Sequence, residues 1–143
     1  MGFFSEAWLR EARERIKSLR ENDASGAPAS ADDFNRLAEA VEKAIKAVLI
    51  ENHGSLPSRH DHDKLVSICQ TTGVWDVLPP ALKGLVQEVE SYRSTHPTTS
   101  EPSSGATSAE QLQRYFFVAR RLIDYMEFHV IGNDSVLKRL KVA

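Results

Sequence analysis

The stretch from Phe34 to Glu51, FNRLAEAVEKAIKAVLIE, decides the fold. Its apolar residues fall at Phe34, Leu37, Ala38, Val41, Ala44, Ile45, Val48 and Leu49. Steps of three and four mark a helix that buries one face, because such residues stack above one another every turn. Glu39, Glu42, Lys43 and Lys46 hold the opposite side, with Glu39–Lys43 and Glu42–Lys46 both at the favourable glutamate-before-lysine i,i+4 spacing. The apolar stripe is broad, so the helix is expected at the centre of a bundle, touching more than one neighbour.

Upstream, Ser5 to Arg20 reads as a first helix, with Ser5 as its cap and Leu9, Ala12, Ile16 and Leu19 as a narrow apolar seam. Arg10, Arg13, Lys17 and Arg20 share another face. Glu6, Glu11, Glu14 and Glu21 interleave with them, which favours a solvated stripe over a phosphate-binding surface. Phe3, Phe4 and Trp8 make a dense aromatic start that suits core or dimer contact. Asn22 to Ser30 is a turn-rich linker, and Ser30 or Asp32 caps the central helix.

Downstream, Gly54 and Pro57 end the central helix. Asp61 then caps a short helix carrying Leu65, Ile68 and Cys69 that stops before Gly73. Val74 to Leu78 is an apolar connector, and Pro79-Pro80 opens a further helix with Leu82, Leu85, Val86 and Val89 on its buried face. Thr95 to Ser108, THPTTSEPSSGATS, lacks side chains able to pack and is expected to be a mobile loop. Thr107 with Glu110, or Ser108 with Gln111, forms a capping box for the last long helix. That helix carries Leu112, Phe116, Ala119, Ile123, Met126 and Val130, and Gly132-Asn133 stops it. Asp134 caps a final short helix through Leu140. No convincing strand alternation occurs. The expected fold is all-α: a single domain over residues 1–143, an antiparallel bundle of four longer helices with one or two short extra helices.

Composition narrows the function classes. At 143 residues, 41% hydrophobic and 27% charged, the chain suits one soluble globular domain. A net charge of −2 provides no global basic field for nonspecific nucleic-acid binding and leaves only local patches for such contact. Cys69 is the single cysteine, which excludes an intrachain disulfide and a thiolate metal cage, and its apolar surroundings predict a buried, inert thiol. No secretory signal pattern and no apolar run near the ~20 residues of a membrane span is present, so a soluble, cytoplasmic protein is expected.

The central-helix run Ala40 to Val48, followed by His53-Gly54, Pro57, His60-Asp61 and Leu65, resembles the HEPN domain family. Tyr92 and Pro97 ahead of a long final helix add to the resemblance, which covers about two-thirds of the chain. It implies a helical bundle, often dimeric, acting beside a nucleotidyltransferase or as an RNase toxin in toxin–antitoxin and antiphage systems. The RNase branch carries an Arg and a His with four to six residues between them, paired across a dimer. The nearest pairs here depart from that spacing: Arg93–His96 has two residues between and Arg121–His129 has seven.

His60-Asp61-His62-Asp63, with His53 nearby, offers imidazole and carboxylate ligands. Consecutive residues at a helix entrance radiate apart, however, so Asp61 as a cap is favoured and no metal site is expected. Arg59, His60 and Asp61 remain candidates for contacting a phosphate at that helix N-terminus. Arg93 and His96 are the candidate catalytic pair, a cation beside a titratable imidazole, although Pro97 biases His96 out of helix. The expected function is a noncatalytic HEPN-like homodimer binding a nucleotide, RNA or a partner nucleotidyltransferase, with no cofactor. The alternative is a metal-independent endoribonuclease with an altered Arg–His arrangement.

Overall fold

The computed structural model describes residues 2–24, 31–53, 65–95 and 109–140. These form α1 (Phe3–Ala24), α2 (Ala31–His53), α3 (Leu65–Thr72), α4 (Val74–Val77), α5 (Pro80–Thr95) and α6 (Ala109–Tyr125). A π-helical segment (Met126–Ile131) and α7 (Asp134–Leu137) complete the chain order. There is no strand among the described residues, and the all-α expectation holds. Residues 25–30 of the expected linker, the Gly54–Asp63 turn with the Asp61 cap, the His96–Ser108 part of the expected loop and the Thr107 and Ser108 caps all lie outside the described residues, whereas Asn22–Ala24 of that linker continue α1 and Asp32 lies within α2 rather than capping it.

Helix α2 is the centre, and its buried face is wider than the sequence stripe, with Ala40 and Ala47 buried as well as Phe34, Leu37, Val41, Ile45 and Val48. Small residues at 40, 44 and 47 let neighbouring backbones approach closely. Helix α2 packs most extensively on α1 and also meets α3, α5, α6 and the π-helical segment. Cross-links fix the α1–α2 register: Ser18–Arg36 at 3.0 Å, Arg15–Glu39 at 3.1 Å and Glu11–Lys43 at 3.0 Å. As the α1 number rises the α2 number falls, so the pair is antiparallel. Tyr125 donates to the Val77 carbonyl at 2.5 Å and Tyr115 donates to Glu88 at 3.3 Å, which sets α6 antiparallel to α5. Helices α1, α2, α5 and α6 thus form an up-down-up-down bundle, closed by Phe34, whose ring lies 3.8 Å from that of Tyr92 and 5.8 Å from that of Tyr115.

Four further local expectations need correction. Helix α1 starts at Phe3, so Ser5 lies inside the first turn and is not the cap. Its hydroxyl and the Gly2 N–H (2.9 Å) both donate to the Glu51 carboxylate of α2, which sets a negative charge from another helix at the positive end of α1. The Val74–Leu78 connector contains a helical turn, entered through Gly73 at φ 82°, a left-handed conformation that suits glycine. The last long helix does not stay α-helical to Val130; it widens to π winding at Met126, and the Gly132 N–H donates five residues back to Glu127 at 2.8 Å. The cap of α7 is Asn133, whose side chain accepts from the Val136 N–H, while Asp134 sits in the first turn.

Candidate functional site

Helices α1 and α6 cross with a cleft between them. The seam residues Leu9, Ala12 and Ile16 face the core, which turns Arg13 and Lys17, one residue further round, toward α6. From α6 come Phe116, Arg120, Ile123 and Asp124 at helical spacing. These side chains line a space of about 310 Å³. Phe116, Ile16 and Ile123 supply an apolar floor, and Arg13, Lys17 and Arg120 supply three cations against the one carboxylate of Asp124.

Arg13 is anchored. Its Nη1 donates to Glu127 Oε1 at 2.8 Å and its Nη2 to Asp124 Oδ1 at 3.1 Å. Partial burial opposes its charge, but hydrogen bonds and attraction from Glu127 and Asp124 outweigh that and raise its pKa. Asp124 and Glu127 therefore fasten α6 and the π-helical segment to α1. Lys17 and Arg120 have no such carboxylate partner among the described residues. Of the interleaved acids on α1, Glu11 is engaged elsewhere: it holds Lys43 of α2, whose ammonium also lies 4.7 Å from the Trp8 ring centre. The expectation of a charge-balanced stripe thus holds toward α2 and fails toward α6.

The π winding has a second consequence. An α-helix turns about 100° per residue, so residues eight apart sit roughly 80° out of line. A π turn holds about one more residue and advances only roughly 80° per residue. Arg121 and His129 are separated by four α steps and four π steps, which returns them to one face, and both side chains are exposed. The His129 ring is held 5.2 Å from that of Tyr125.

The HEPN domain model matches residues 5–129, which takes in α1 through most of the π-helical segment. The chain belongs to the HEPN family. Comparison with curated proteins and with solved structures gives no match.

Of the candidate site residues read from the sequence, Arg59, His60, Asp61 and His96 lie outside the described residues, and Arg93 is placed only as a backbone position near the end of α5. Among the described residues no group of three or more His, Cys, Asp or Glu side chains is arranged to hold a metal, and the His60–Asp63 cluster lies outside them. Cys69 is fully buried, and that burial, aided by the charge of Glu90, pushes its thiol up to about 12, as an inert core cysteine requires. The α1–α6 cleft was not legible as a site. Its sequence signals were Arg13–Lys17 and Phe116–Arg120, each at i,i+4, but nothing in the sequence states that these two helix faces meet.

Proposed function

We propose that this HEPN chain is a noncatalytic, homodimeric module that binds a phosphate-bearing ligand, a nucleotide or single-stranded RNA, in the α1–α6 cleft. The observation that carries this reading is the convergence of Arg13, Lys17 and Arg120 over the floor formed by Phe116, Ile16 and Ile123. A nucleotide pairs an anionic phosphate with a flat, stackable base, and sites for it combine cations with an aromatic surface. Lys17 and Arg120 are the groups available to the phosphate, because Arg13 is already engaged by two carboxylates. A partner nucleotidyltransferase, the other ligand class that the resemblance implies, is less favoured by so concave a surface.

Fluorescence anisotropy with labelled single-stranded RNA and competition by mononucleotides tests the proposal. Lys17→Glu and Arg120→Glu are each expected to weaken binding at least tenfold and to flatten its salt dependence. Wild-type affinity in both variants would remove the cleft from consideration.

One observation favours a second reading, the metal-independent endoribonuclease. The π-helical segment brings Arg121 and His129 onto one exposed face despite their seven-residue gap, so the altered spacing is compatible with a joint site. Such chemistry needs a proton acceptor, a proton donor and a cation around one phosphate. The noncatalytic proposal expects no cleavage of tRNA or structured RNA above background, with or without chelator. Cleavage abolished by both Arg121→Ala and His129→Ala, or by both Arg93→Ala and His96→Ala, would replace it with the nuclease reading.

A further inference from the structure

One side chain ties the cleft to the change of winding in the last helix. Arg13 lines the cleft and holds both Asp124, in the final turn of α6, and Glu127, the second residue of the π-helical segment. Its two bonds straddle the junction between Tyr125 and Met126, where α winding ends. Glu127 is held a second time through its backbone, because its carbonyl accepts the Gly132 N–H at 2.8 Å and so closes the π turn. The carboxylate that Arg13 grips and the carbonyl that defines the π turn belong to one residue.

The two carboxylates differ in what they do without Arg13. The Asp124 side chain is 52% exposed and can turn to water with its backbone in place. The Glu127 side chain is only 18% exposed, and a carboxylate left there without its cation is costly. Relief comes from the backbone. Glu127 stands two π steps beyond Tyr125, so a return from roughly 80° to 100° per residue carries it about 40° around the helix axis and away from Arg13. In α winding the Gly132 N–H bonds to Phe128, four residues back. That carbonyl is already at hand, 3.2 Å from where a Cβ of residue 132 would stand. Only the turn at Gly132–Asn133 and α7 follow the segment among the described residues, so little else has to move.

Arg13 spreads its grip, giving one bond to each carboxylate and a paired fork to neither. A phosphate offers two oxygens to one guanidinium fork, the stronger arrangement. Lys17 lies one helical turn from Arg13 on the same cleft wall, so a phosphate there is within the reach of Arg13. We propose that Arg13 is the switch of this site: a phosphate bound by Lys17 and Arg120 draws its guanidinium off Glu127, and the π turn rewinds to α. The switch rests on the phosphate-binding reading of the cleft. It couples occupancy of the cleft to the exposed face bearing His129, a residue that does not line the cleft. Linkage makes the coupling reciprocal, so whatever frees Arg13 from Glu127 tightens phosphate binding.

Two measurements on the full chain test the switch. In the first, NMR identifies the acceptor of the Gly132 N–H from its coupling across the hydrogen bond to the carbonyl carbon. The acceptor is expected to be Glu127 in the free protein and Phe128 once labelled single-stranded RNA saturates the cleft. Arg13→Gln is expected to show Phe128 without RNA. In the second, anisotropy compares Glu127→Gln with Glu14→Gln, which removes the same charge from an exposed position of α1 outside the cleft. Glu127→Gln is expected to bind the RNA about fivefold tighter than Glu14→Gln, the low end of ordinary coupling between sites. If Arg13→Gln fails to fold by circular dichroism, the wild-type titration and the Glu127→Gln comparison decide. RNA-bound wild type that keeps Glu127 as acceptor, or Glu127→Gln that binds no tighter than Glu14→Gln, would overturn the switch and leave the cleft as the binding site. Wild type that binds no RNA removes the switch and the phosphate reading together.

Discussion

Replacing Gly132 by Ala isolates the physical basis of the π-helical segment. The backbone there has φ −78° and ψ 5°, which alanine adopts without strain, so any penalty is steric. A Cβ at this position would stand 2.9 Å from the Glu127 carbonyl oxygen and 3.2 Å from that of Phe128. Both atoms are backbone and cannot swing aside as a flexible side chain would. The turn must therefore open, stretching the 2.8 Å bond from the Gly132 N–H to Glu127. Overpacking of this kind costs about 1–3 kcal/mol, a fall in Tm of roughly 3–10 °C for a domain of this size. Gly84, inside α5, is the control: nothing lies within 4 Å of a Cβ there. Gly84→Ala should gain about 0.5–1 kcal/mol from helix propensity and melt higher than wild type. Calorimetric melts of both variants read the opposite signs directly. An unchanged or raised Tm for Gly132→Ala, alongside the expected rise for Gly84→Ala, would refute the close-approach account. Relaxation of the segment to α winding would also swing His129 roughly 80° away from Arg121, which an NMR shift of the His129 ring would report.

Glu51 accepts from Ser5 and the Gly2 N–H, and these bonds, the Ser5 one first, hold its carboxyl below the usual value near 4.5. A lowered native pKa means that its stabilisation is complete above the ordinary range and is lost as pH falls through the lowered value, so Glu51→Gln should melt lower than wild type at pH 7 and converge with it in acid. Cys69 should react with iodoacetamide at pH 8 only as fast as the chain unfolds, because burial denies access and raises the thiol to about 12; rapid labelling of the native protein would contradict its place in the core. Melts with and without EDTA should agree, as capping rather than metal binding is expected of His60 to Asp63, and a drop of several degrees restored by zinc would reverse that reading.

The sequence by itself determined the helices and their buried faces. Periodicity reports what must leave water, and Leu37, Val41, Ile45 and Val48 are buried as their spacing requires. Breakers and prolines likewise marked Gly73, Pro80 and Gly132 as boundaries, since their backbone chemistry is local. Other features depended on contacts between residues far apart in the chain. The cap on α1 is Glu51, supplied from α2 at a distance in sequence that no local motif encodes. The winding change at Met126, where the Gly132 N–H reaches five residues back to Glu127, is invisible to a pattern that counts in threes and fours. The cleft is the clearest case. Arg13 and Lys17 are one helix's charges and Phe116 and Arg120 another's, and only the packing of α1 against α6 decided that they share a space while the acids between them turned toward α2 or clasped Arg13. Local chemistry is written residue by residue, whereas a site is a relation between surfaces, and burial of the apolar seams is what brings those surfaces together.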